Sequence, residues 1–360
     1  MELARLELHT LFYWKPQMPQ CTTAELGERR LASQGTLTPF ITPTVKINRL
    51  FESPHIEIYA KLDLLQLAGS TKERTANGLI EELFSSGKLR TGGMIVESTS
   101  GNLGIALARQ CVVRGVNFIA VVDENANPIA LELMQAYGAT INRVETPADG
   151  NKLAARRRRV NELLEQNLGS VTTNQYGSFA NPRAHCNSTM PEIIAGSGGN
   201  LDYLFVATST TGTLLGCQQY IRKHGLDTKI VAVDSVGSVL FGGTAGTRHL
   251  PGLGAGIVPE LAASAEPDLV VQIEEMDMVR GCRLLARREG ILAGASTGAI
   301  VSAMEKLLPK LREGSRLAFM VHDSGVPYLQ TVYNDQWVRT NLNSDSNMET
   351  LVEVDELSDQ

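Results

Sequence analysis

Met94-Ile95-Val96-Glu97-Ser98-Thr99-Ser100-Gly101-Asn102-Leu103-Gly104-Ile105-Ala106-Leu107-Ala108 opens with an apolar triplet, breaks at small polar residues, and resumes apolar. The triplet predicts a short buried strand, and the spacing from Leu103 predicts a helix running to Arg114. A strand that turns into a helix through a few Ser, Thr, Gly and Asn residues is half of a strand–helix–strand unit.

The same pattern extends in both directions. Upstream, Ile56–Ala60 predicts a strand and Glu73–Ser85 a helix capped by Ser70 or Thr71. Downstream, strands are expected at Phe118–Val122 and Asn142–Glu145, with helices at Pro128–Tyr137 and Lys152–Gln166. The alternation resumes after Asn181. Tyr203–Ala207, Ile230–Val233 and Leu317–Val321 predict strands, and Thr213–His224, Met278–Glu289 and Gly298–Leu311 predict helices. Such alternation implies an α/β protein with mostly parallel sheets flanked by helices, joined by right-handed connections. Ligands in these folds bind at the carboxyl ends of the strands. The break near Asn174–Asn181 suggests two lobes with a cleft between them. The expected organisation is an N-terminal extension at 1–38, lobes at 39–180 and 181–340, and an acidic tail at 341–360.

Composition narrows the function. The chain has 360 residues, 43% hydrophobic and 20% charged, which is globular and long enough for two cores. Its net charge of −6 equals the six acids of the stretch from Asn341 to Gln360, which holds no Lys or Arg. The body is therefore neutral and lacks the basic footprint of a nucleic-acid binder. Cys21, Cys111, Cys186, Cys217 and Cys282 are odd in number and show no CxxC spacing, so free thiols in a reducing cytoplasm are expected. No apolar run reaches membrane-spanning length, and the N-terminus lacks a signal pattern. The histidines show no HxxxH pair and no cysteine at ligand spacing, which speaks against zinc chemistry.

Four turns carry more Ser, Thr, Gly and Asn than a connection needs. Ser70-Thr71-Lys72 places an amine at a helix start, where the positive helix end opposes its protonation. That lysine is either a solvated first-turn residue or a nucleophile. Ser98–Gly104 and Ser209-Thr210-Thr211-Gly212-Thr213 offer amides and hydroxyls at helix N-termini, either as plain capped turns or as anion sites. The second is neither a P-loop nor a dinucleotide fingerprint. Gly294-Ala295-Ser296-Thr297-Gly298 is the fourth. The run Arg156–Arg159 fans around a helix at about a hundred degrees per residue, so it cannot form one basic face.

Together these turns resemble the cysteine synthase and cystathionine β-synthase family of fold-type II pyridoxal-phosphate enzymes. Ser70–Arg74 resembles the family's Ser-x-Lys-Asp-Arg, with Glu73 in place of Asp. Thr99-Ser100-Gly101-Asn102 resembles its Thr-Ser-Gly-Asn substrate loop. Ser209–Thr213 stands where the family has Gly-Thr-Gly-Gly-Thr, and Gly294–Gly298 resembles its Gly-x-Ser-x-Gly turn. The likeness spans roughly Pro43 to Trp337. It implies a two-lobed fold of the tryptophan synthase β type, usually dimeric, with pyridoxal 5'-phosphate held as a Schiff base on Lys72.

The resemblance further implies that Asn102 meets the cofactor's ring oxygen and Ser296 its pyridine nitrogen. Thr210, Thr211, Gly212 and Thr213 would cradle its phosphate. Thr99, Ser100 and Gln175 would bind the substrate carboxylate, and Arg156, Tyr176 and Ser209 would face the leaving group. Leu103, Ser209-Thr210-Thr211-Gly212, Val231-Ala232-Val233-Asp234 and Tyr333–Trp337 are similar to a branch that joins O-phospho-L-serine to L-glutamate on a siderophore route to L-2,3-diaminopropionate. A sulfhydrylase making cysteine shares the first half of that chemistry and is the alternative.

Overall fold

The computed structural model describes residues 38–53, 55–146 and 152–342. The described residues all belong to the unit from Thr36 onward. The aromatic cluster at Phe12–Trp14 and the acidic tail from Asn343 onward lie outside the described residues.

The strands are β1 (Thr44–Ile47), β2 (Glu57–Leu62), β3 (Met94–Ser98), β4 (Asn117–Val122), β5 (Thr140–Arg143), β6 (Tyr203–Ala207), β7 (Lys229–Ser235), β8 (Leu269–Ile273) and β9 (Arg316–Val321). The helices are α1 (Lys72–Ser85), α2 (Asn102–Arg114), α3 (Pro128–Ala136), α4 (Lys152–Gln166), α5 (Ala180–Asn187), α6 (Thr189–Gly196), α7 (Gly212–His224), α8 (Glu275–Glu289), α9 (Ala295–Leu307) and α10 (Asp335–Leu342). One sheet has the order β1-β2-β9-β6-β7-β8 and a second has β3-β4-β5. Among the described strand pairs, only β1 with β2 runs antiparallel. This is the α/β, mostly parallel arrangement that the alternation predicts.

Differences from the sequence expectation have local causes. β5 begins at Thr140, two residues early, because Thr140–Arg143 take the register opposite Ile119–Val122. β8 is an edge strand beyond the expected elements, and Leu269 and Val270 of its apolar run Leu269-Val270-Val271 are exposed. α9 starts three residues before Gly298 and ends at Leu307, followed by a short 3-10 turn. Neither Ser70 nor Thr71 caps α1 through its side chain, and both hydroxyls are buried without partners.

β1 and β2 belong to the larger sheet although they precede α1 in the chain. Ile58 pairs with Leu317 across the longest sequence separation in that sheet. β9 is its covered centre, with Leu317 to Val321 all buried. α5 wedges between α1 and α7 and draws them together. An added Cβ on Gly78 would meet Ala184 Cβ at 2.9 Å, and one on Gly216 would meet the Pro182 carbonyl at 2.3 Å. The turn before α1 is tied to the end of β9, since Thr71 N donates to the His322 carbonyl at 2.7 Å and Ser70 bridges Asp323. Ala293 bridges Ser324 in turn. The Lys72 turn and the Ser296 turn thus flank the segment that follows β9.

Candidate active site

Lys72 opens α1 and is half-buried. Among the described residues its ammonium has no hydrogen-bond or carboxylate partner. Burial lowers its pKa to about 8, from an ordinary value above 10. Two buried histidines feel the same charge. His185 is held down to about 3 and His322 to about 4, in both cases by burial first, with Lys72 pushing the same way. His322 Nε2 accepts the Ala207 N–H at 3.2 Å, and His185 sits between Thr75, Thr189 and Thr213. Both rings are neutral and leave Lys72 as the titratable amine of this pocket.

The other turns surround it with uncompensated helix ends. α2, α7 and α9 have no side-chain cap and no acid in the first turn. α3, by contrast, is capped by Asn127 Oδ1 on the Ile129 and Ala130 amides. Thr211 lies in the left-handed region at φ 62°, a conformation that costs a β-branched residue about 1–2 kcal/mol. Its hydroxyl donates to the Thr210 carbonyl at 2.7 Å. Gly212 admits Asn181, whose Oδ1 would lie 2.2 Å from an added Cβ. Asn181 Nδ2 in turn bonds the Gln175 carbonyl and Thr210 Oγ1.

Asn102 Nδ2 donates to Asp323 Oδ2 at 2.7 Å, and the Tyr328 hydroxyl donates to the same oxygen at 2.6 Å. Burial raises the Asp323 pKa, against both of these bonds. Its Oδ1 is buried without a partner. Ser296 is nearly fully buried, and its Oγ and the Tyr328 hydroxyl both lie within 4 Å of a Cβ built on Gly252. Asn102, Asp323, Tyr328 and Ser296 thus share one wall.

On the other side, Arg156 Nη1 forms an ion pair with Asp123 at 3.0 Å and reaches Ser100 Oγ at 3.4 Å. It is the inward member of the arginine run, whereas Arg157 and Arg158 are exposed and Arg159 pairs with Glu162. Thr99 is buried and its N–H donates to the Val121 carbonyl. Tyr176 is half-buried. Burial raises its pKa, and the Arg156 charge opposes that rise. Gln175 keeps a buried, unpartnered Oε1, and Ser209 Oγ donates to the Gly254 carbonyl at 3.0 Å. Thr213 faces His185.

Glu73, in place of the expected Asp, takes bonds from Arg109 and Gln110 of α2 and so ties the Lys72 helix to the Asn102 helix. Sequence reasoning missed Asp323 and His185. The signal for Asp323 was an acid two residues past the apolar run Leu317–Val321, at a strand's carboxyl end. The histidines gave no periodic signal, since their role depends on burial.

Pyridoxal phosphate needs an unprotonated amine, an anion cradle and polar atoms around its ring. The residues present fit it. Lys72 is depressed and unpaired, α7 presents its bare positive end, and unpartnered atoms on Ser70, Thr71, Gln175 and Asp323 remain for a ligand.

Comparison with known proteins agrees. A family profile described as pyridoxal-phosphate dependent enzyme matches residues 36–323. The chain is 41% identical over 298 residues to an N-(2-amino-2-carboxyethyl)-L-glutamate synthase of Ralstonia nicotianae, covering 82% of this chain and 88% of that one. It is 39% identical over 301 residues to a protein of the same name from Cupriavidus metallidurans, with the same coverage. Among solved structures, the O-acetylserine dependent cystathionine β-synthase from Helicobacter pylori superposes with a TM-score of 0.76 at 29% identity, over 83% of this chain and 96% of that one.

Proposed function

Because the chain belongs to the family of pyridoxal-phosphate dependent enzymes, we propose that it carries out a β-replacement in which L-glutamate displaces the phosphate of O-phospho-L-serine. The product is N-(2-amino-2-carboxyethyl)-L-glutamate, the compound named in its two similar synthases. The observation that carries this reading is the unpaired, depressed Lys72 amine opposite a turn where Arg156 reaches Ser100.

When bound, the cofactor supplies an electron sink that acidifies the substrate Cα and lets a β-substituent depart. Lys72 would hold it covalently, with Asn102 and Ser296 at the ring and the Thr210–Thr213 amides at the phosphate. Freed during turnover, Lys72 Nζ takes the Cα proton and later returns it. The depressed pKa suits that duty near neutral pH. The Thr99–Ser100 turn and Gln175 bind the substrate carboxylate. The Arg156 guanidinium, with Tyr176 and Ser209, holds the departing phosphate by charge-assisted bonds. The Cβ–O bond breaks, and the glutamate amine forms the new Cβ–N bond.

The lobe division near Asn174–Asn181 belongs to the same proposal, supported by the separate sheet β3-β4-β5 that lies wholly before it in the chain. So does a homodimeric, cytoplasmic enzyme feeding L-2,3-diaminopropionate for siderophore assembly. Four described cysteines are free thiols, as a reducing compartment favours.

The test is mass spectrometry of products formed from O-phospho-L-serine with glutamate and sulfide in competition. The expected product is the glutamate adduct with stoichiometric phosphate. Cysteine as the sole product would assign a sulfhydrylase instead.

A further inference from the structure

We infer that Arg248 is the recognition residue for the side-chain carboxylate of the amino acid that enters second, which makes the enzyme selective for a dicarboxylic nucleophile. The inference rests on the β-replacement reading above and deepens it.

The argument begins with charge. Two amino acids meet at one Cβ, and the phosphate and the first carboxylate already have Arg156 and the Ser100 turn. A nucleophile with a distal carboxylate needs another cation. Arg156 is paired with Asp123, and Arg157 is exposed. Arg248 is half-buried and has no carboxylate partner within ion-pair distance among the described residues. Its Nε is buried without an acceptor, and Nη1 donates to the Leu253 carbonyl at 3.1 Å. A partly desolvated guanidinium with donors to spare is costly unless a ligand completes it.

Its position links it to the site. Arg248 Nη1 rests against the bare Cα of Gly254, where an added Cβ would lie 2.3 Å away. The Gly254 carbonyl accepts Ser209 Oγ at 3.0 Å, and its N–H donates to the Thr208 carbonyl at 2.7 Å. Two residues earlier, Gly252 abuts Ser296 and Tyr328. The Gly252–Gly254 strip therefore runs from the Ser296 wall to the Ser209 turn, with Arg248 against its far end. Arg248 is also close enough to Tyr176 for its charge to be felt there, alongside Arg156.

The segment is built to hold this residue. His249 N and Leu250 N both donate to Glu275 Oε1 at 2.6 Å, which bolts the following backbone to the start of α8. Gly246 N donates to the Gly237 carbonyl at 3.0 Å, which pins the preceding backbone to the turn after β7. Asp234 at the end of β7 feels the Arg248 charge without pairing to it.

The experiment uses the cofactor-loaded enzyme and its Arg248→Gln and Arg248→Lys variants, with cofactor content checked by absorbance. Glutamate and glutamine compete as nucleophiles against fixed O-phospho-L-serine, and the product ratio is read by mass spectrometry. Loss of one charge-assisted pair predicts a fall in glutamate-over-glutamine selectivity of about 10–100-fold in Arg248→Gln. Arg248→Lys should keep part of it. Calorimetric titration with N-(2-amino-2-carboxyethyl)-L-glutamate should show binding weakened by about 10-fold or more in Arg248→Gln. An unchanged selectivity ratio in a wild type that does make the glutamate adduct overturns this inference alone. Absence of that adduct from the wild type overturns the reading beneath it as well.

Discussion

Lys72 and Arg74 stand two residues apart on α1, one half-buried and one buried, yet their surroundings are opposite. Arg74 forms bonds to Asp63 at 2.9 and 3.0 Å and to Glu192 at 2.6 and 2.8 Å. Lys61 joins the same cluster through Glu192 at 2.7 Å. Two positive and two negative groups close on one another. The Arg74 and Lys61 charges hold the Asp63 carboxyl down at about 2, despite its burial. Lys72 has no such partner, and burial alone governs it. A buried charge with its counterions complete does structural work, whereas one without them is poised for chemistry. The closed cluster also fixes the first turn of α1, so it holds Lys72 where the reaction needs it.

The contrast can be broken most severely at Lys72 itself. Lys72→Ala should lower turnover by at least about 10³-fold and abolish the visible absorbance of the bound cofactor, while the circular dichroism spectrum stays native. A variant that keeps its colour and its rate would remove Lys72 from the site.

Arg74→Met should act on stability instead. It strands Asp63 and part of Glu192 without their cation, and we expect a loss of about 3–5 kcal/mol in urea unfolding. A loss comparable to that of an exposed pair would show that the cluster is not the clamp described here.

Lys72→Met sharpens the comparison through pH. In the cofactor-free protein the folded pKa of about 8 lies below the unfolded value near 10.5, so the native state binds fewer protons between them. Stability of the wild type should therefore rise as pH climbs from about 8 toward 10.5, relative to Lys72→Met, by about 2 kcal/mol. Parallel stability curves for the two proteins would contradict an uncompensated lysine.

The smallest effect is expected where neither burial nor chemistry is involved. Arg222 pairs with Glu266 with both side chains mostly exposed. Arg222→Ala should change unfolding free energy by under about 0.5 kcal/mol.

The sequence by itself determined the α/β alternation, the boundaries of helices such as Lys152–Gln166, and the turns around Lys72, Ser100, Thr211 and Ser296. Those features are local, since apolar periodicity and Gly, Ser and Thr punctuation act over a few residues. Tertiary structure alone decided that β2 crosses to pair with β9, that Arg156 of four successive arginines turns toward Ser100, and that Asp323 and His185 join the site. Pairings between distant segments leave no trace in local spacing. A titratable group's role depends on which charges surround it once water is excluded, and that is set only when the chain has folded.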